Sequence, residues 1–180
     1  MVSDFVGSVY LRNKKTINKN INLYQKNWSK IEEKYFLLVD DLFSGYVWPK
    51  GKYIAYPTIW GMYPRFLEDK IFQIPYKYKK KNYVNVIIAH EMLHFIFYDF
   101  LFKEYPKYKL NKYSFFVWNI SEIFNSVVQN SSKWLKIFKI KTISYPEHKN
   151  IINKLQKDFY RSDTIEVDKL IRIIIKNFNF

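Results

Sequence analysis

His90, Glu91 and His94 form H-E-x-x-H inside the apolar stretch VIIAHEMLHFIFYDF, residues 86–100, and take up two of the chain's three histidines. On a helix, residues four apart share one face about 6 Å apart along the axis, so both imidazoles can converge on one metal ion. Glu91, turned by about 100° from His90, stands beside such an ion. There it can accept a proton from a water on the metal without being a ligand itself. Imidazoles buried among Val, Ile and Phe without partners would be costly, and an ion removes that cost.

A catalytic zinc generally takes three protein ligands and leaves the fourth position to water. A third histidine six residues after His94, with a glycine turn between, is excluded, because positions 97 and 100 are Phe97 and Phe100. The better candidate is Glu122, in KYSFFVWNISEIFNSVVQNSSK, the only charged residue between Lys112 and Lys133. A buried carboxylate with no cation beside it is expensive, and a metal ion offsets the expense. The opposing reading puts Glu122 on a solvent-facing polar stripe with Asn119, Ser126 and Gln129. The remaining histidine, His148 in SYPEHKNII, reads as a rival metal ligand, as a donor to a tetrahedral oxyanion, or as an ordinary surface or capping histidine. Tyr145 is a weaker candidate for the oxyanion role, one of sixteen tyrosines.

Helices must position these groups. Apolar residues at Ile17, Ile21, Tyr24, Trp28, Ile31, Tyr35 and Leu38 recur every three or four positions and predict an N-terminal helix over 16–43. Gly45, Pro49, Gly51, Pro57, Gly61, Pro64 and Pro75 then break helical continuity. Between them KYIAYPTIW and KIFQIPYKY read as strands of a small sheet over 50–80. Asn82 is a plausible cap for the helix that carries the histidines, over 82–102. Pro106 ends that element, and a second buried helix is expected over 113–135, carrying Glu122. Helices over 146–177 close the chain, one opened by Pro146 and one by a capping box of Asp163 and Glu166. The whole reads as a single α+β domain, 1–180, without repeats or low-complexity linkers.

Composition narrows the function. With no cysteine, disulfide scaffolds, thiolate metal sites and cysteine nucleophiles are excluded. The net charge of +14 invites a nucleic-acid or anionic-membrane partner. The cations are scattered, however, and only YKYKKKNY, residues 76–83, is dense, so no nucleic-acid partner is expected. No apolar run of signal-peptide or transmembrane length is expected either, and the simplest location is cytoplasmic.

With H-E-x-x-H on one helix and a lone glutamate on the next, the chain resembles the zincin metallopeptidases, and within them the gluzincin class in a minimal form. The resemblance implies a zincin-like fold, a small antiparallel or mixed sheet packed on the active-site helix. It implies one zinc ion held by His90, His94 and Glu122, with Glu91 as general base. The reaction it implies is hydrolysis of peptide bonds by metal-activated water, on a peptide or protein substrate. It further implies an antiparallel edge strand along which substrate lies extended, a role that KIFQIP or YIAYPTIW would match. Two features differ from thermolysin-like enzymes: 28 positions separate His94 from Glu122, and the acid expected four residues after the glutamate ligand is Ser126, with Asn125 beside it. Other divalent ions share these ligand preferences. The alternatives are a non-catalytic zincin-like binding module and a basic protein binding nucleic acid or a membrane surface.

Overall fold

In the computed structural model of the chain, residues 2–80, 82–159 and 165–177 are described. The architecture is mixed α+β, mostly helical, with one three-stranded mixed sheet. The glycines and prolines of the middle segment act as expected, and no described helix lies between residues 43 and 82. The chain divides into two compact units, Met1–Glu33 with Lys50–Met92 and Lys34–Pro49 with Leu93–Phe180.

The first unit holds α1 (Val2–Trp28), the sheet, and the first half of α3 (Tyr83–Glu104). α1 buries Ile17 and Tyr24. Two amides anchor it: Asn20 Nδ2 donates to the Tyr76 carbonyl at 2.9 Å, and Asn85 Nδ2 donates to the Asn27 carbonyl at 3.4 Å. The single helix expected over 16–43 is two helices, α1 and α2 (Glu32–Leu42). The chain turns between them where the Ser29 hydroxyl donates to the Lys26 carbonyl at 3.2 Å, competing with the helical backbone bonds. α1 also begins earlier than its apolar periodicity, because that periodicity reports only the stretch with a buried face.

The sheet has β1 (Ile54–Thr58), β2 (Arg65–Phe66) and β3 (Ile71–Pro75) in the order β1-β3-β2. β1 runs parallel to β3 with Ile54 opposite Ile71, and β2 runs antiparallel with Arg65 opposite Phe72. KIFQIP is therefore the central strand and not an edge. YIAYPTIW supplies an edge, where Pro57 is tolerated, but that edge is parallel to its neighbour. Phe72 and Ile74 are buried, and directly opposed residues share a face, so Arg65 projects from the face that carries Phe72.

α3 is apolar nearly all round, and by length and composition it could cross a membrane. Most of it is buried inside the protein, as a core helix would be.

In the second unit α4 (Phe115–Gln129) packs against α5 (Ser132–Phe138), α6 (Lys149–Phe159) and α7 (Val167–Asn177). The helix expected over 113–135 is thus two, separated at Asn130 and Ser131. Ser131 adopts extended dihedrals and caps α5 by accepting from the Trp134 N–H, while Asn130 bonds across to Thr142. Pro146 opens a short 3-10 turn, Pro146–His148, before α6. The capping box expected at Asp163 falls outside the described residues.

Candidate metal centre

α3 sets His90 and His94 one turn apart, and α4 must bring its carboxylate to them. Ser114 starts α4 by accepting from the Val117 N–H at 3.3 Å, a side-chain cap for one of the orphan donors of the first turn. Two contacts then lock α4 against the second half of α3. The rings of Phe97 and Phe124 lie 4.6 Å apart, and Tyr98 Oη is 2.8 Å from Ser121 Oγ. Because the Ser121 hydroxyl donates to the Trp118 carbonyl, Tyr98 is the donor in that pair. Glu122 follows Ser121, and His94 lies one turn before Tyr98 and stacks on its ring.

The result is a group of three ligand atoms, one each from His90, His94 and Glu122, all within 4.8 Å of one another. His94 and Glu122 are buried, whereas His90 is partly exposed, so the group has one open side. His94 Nε2 lies 3.3 Å from Glu122 Oε1. A charge-assisted N–H···O bond would be shorter, about 2.7–2.9 Å. Two atoms each about 2.0–2.1 Å from a tetrahedral zinc stand roughly 3.3–3.4 Å apart. The separation thus suits two ligands of one ion better than a direct bond, and the donor set of two imidazoles and a carboxylate fits zinc.

Glu91 is also buried, and its Oε2 lies 3.3 Å from Arg65 Nη1 in a salt bridge. Arg65 went unnoticed in the sequence because a two-residue strand carries almost no pattern. Its one signal is rarity, since Arg12, Arg65, Arg161 and Arg172 are the only arginines among thirty cations.

The solvent-facing stripe on α4 does not exist. Asn119, Ser126 and Gln129 are buried with Glu122, as are Ser121 and Asn125. Buried polar groups need partners, and several are visible. The Thr142 hydroxyl donates to Gln129 Oε1 at 3.1 Å, and Asn119 Nδ2 donates to the Phe115 carbonyl at 2.7 Å. No acid stands where thermolysin-like enzymes would have one, and the Ser126 carbonyl accepts from Asn130 Nδ2 at 2.9 Å.

His148 is not a surface histidine. It is fully buried, with Nε2 2.5 Å from Asn119 Oδ1, and it stands outside the three-ligand group. An amide oxygen only accepts, so Nε2 carries the hydrogen. Burial, above all, pushes the His148 pKa below its usual value, against the opposing pull of Glu147 and Glu122, and the imidazole is neutral. Tyr145 is 46% exposed, its ring against those of Trp118 and His148, and it too lies outside the group. A cavity of about 550 Å³ in the second unit, walled partly by Leu38, Phe100, Trp134 and Val167, does not include the three ligands. No family model, curated protein or solved structure matches this chain.

Proposed function

We infer that the protein is a zinc-dependent peptidase of zincin-like, gluzincin type, with His90, His94 and Glu122 as ligands and Glu91 as general base. The observation that carries this reading is the convergence of three separated donors, one of their distances matching an edge of a tetrahedral zinc site. Zinc bound there supplies Lewis-acid activation of a carbonyl and of a water near neutral pH. Glu91 takes the proton of the attacking water and passes it to the leaving amine. Glu122 brings negative charge to the ion. The apolar residues of α3, including Leu93, Ile96 and Phe97, hold the ligands and keep water from the buried side. Partly exposed His90 marks the side from which a peptide or protein substrate enters.

The test is Glu91→Gln. Zinc content should stay at the wild-type level while peptide hydrolysis falls by about 10²–10⁴-fold. Retained hydrolysis in that variant contradicts the mechanism. One observation favours a non-catalytic metal-binding module instead, namely that Arg65 ties up the carboxylate needed as a base. Inhibition of a zinc-loaded preparation by a hydroxamate separates the two, because only the peptidase has hydrolysis to inhibit.

A further inference from the structure

A cation on the general base needs a reason, because a base that stays paired gives up favourable electrostatics each time it takes a proton. Nearly all cations of this chain are lysines, yet the cation that pairs with Glu91 at 3.3 Å is an arginine. The guanidinium is a planar fork of five N–H donors matched to carboxylates, where lysine offers a point charge. The Arg65 Nη1 to Glu91 Oε2 distance of 3.3 Å is longer than the 2.7–2.9 Å typical of charge-assisted bonds.

Arg65 sits on β2, an edge of the sheet, and its side chain is 14% exposed, so a ligand can reach it while its charge is only weakly screened. Its neighbour Phe66, and Trp60 and Met62 in the stretch leading into β2, are exposed apolar side chains. A part-buried guanidinium that a ligand can reach, on a segment that also carries exposed apolar side chains, is the chemistry of a site for a peptide that carries a carboxylate.

We propose that Arg65 is the anchor for a carboxylate of the substrate, and that Glu91 occupies this anchor until the substrate arrives. The inference rests on the peptidase reading above and narrows its substrate class. Exchange of one carboxylate for another keeps the buried cation paired at every stage, which avoids the cost of an uncompensated charge. It also frees Glu91 to face the water it must deprotonate. The carboxylate can be a chain terminus or an acidic side chain.

The test uses uncleavable ketomethylene isosteres of one acetylated apolar peptide in three forms: free C-terminal acid, C-terminal amide, and amide with one internal glutamate. Each is titrated calorimetrically into the full-length protein, and zinc content is measured on the same samples. In the wild type at least one acid form should bind about tenfold tighter than the plain amide. Which acid form gains tells the terminus from the side chain. Arg65→Gln should erase the preference and Arg65→Lys should keep part of it. Glu91→Gln should widen the preference for the acid form over the amide, since it removes the internal competitor. Should Arg65→Gln fail to fold, the Lys and Glu91→Gln arms decide. Equal binding of acid and amide in the wild type overturns the proposal, as does a preference that Glu91→Gln does not widen. Zinc bound without acid preference leaves the peptidase reading standing and removes this one. Acid preference without zinc removes the peptidase reading, and with it the substrate role, and leaves Arg65 as a carboxylate-binding residue.

Discussion

His94 and His148 are both fully buried, and each meets an acceptor from α4, Glu122 in one case and Asn119 in the other, three residues apart on the same helix. At His148 the acceptor is a neutral amide at 2.5 Å, a complete hydrogen bond that holds an imidazole in the core. At His94 it is a carboxylate at 3.3 Å, with the His90 imidazole within 4.8 Å. One pair sits at direct hydrogen-bond distance, and the other is spaced for a third participant. The two histidines differ in the charge of the acceptor and by 0.8 Å of separation, and not in burial.

The sharpest way to break this comparison is to change the two acceptors in turn. Glu122→Gln should lower zinc affinity by more than about 100-fold, since even outer-shell changes can cost 10–100-fold. Asn119→Ala should leave zinc affinity unchanged. Equal losses, read by competition with a chromophoric chelator, would erase the distinction.

A smaller effect is expected on stability. His148→Ala leaves the buried Asn119 oxygen without its imidazole donor and should cost about 1–3 kcal/mol in denaturant unfolding, with zinc binding retained. A stability loss accompanied by loss of zinc would put His148 in the metal site after all.

The smallest effect is a pH dependence. Burial holds the His148 pKa below its ordinary 6.5. Its contribution is therefore fully present above about pH 6.5 and is lost as pH falls from there toward the depressed folded value, because the unfolded chain binds the proton first. Unfolding of the chelator-treated protein between pH 7.5 and 5 should show a steeper acid-side loss in wild type than in His148→Gln. Parallel profiles would mean that His148 is not held neutral.

The metal-ligand candidates were the most legible part of the chain, because their types are rare and their context is wrong for core. Two histidines at helical spacing and one glutamate among Phe, Ile and Val announce a cost that something must offset. Long apolar periodicity likewise placed α3 to within two residues at either end. What stayed hidden depends on tertiary or very local contacts. The turn at Ser29 and the cap at Ser131 divide helices whose apolar patterns run on through the break. The order of the strands, which makes KIFQIP central, is a property of pairing and not of any one segment. Arg65 reaches Glu91 only because a two-residue strand turns it to the buried face. Asn119 read as part of a polar stripe until α4 proved to be packed on several sides.

The central claim is that His94 belongs to a metal site and His148 does not. Native mass spectrometry of zinc-loaded wild type, His94→Ala and His148→Ala, each checked for folding, tests it directly. The account predicts one zinc ion per chain in wild type and His148→Ala, and none retained in His94→Ala. A wild type without zinc, or equal zinc in wild type and His94→Ala, would contradict it.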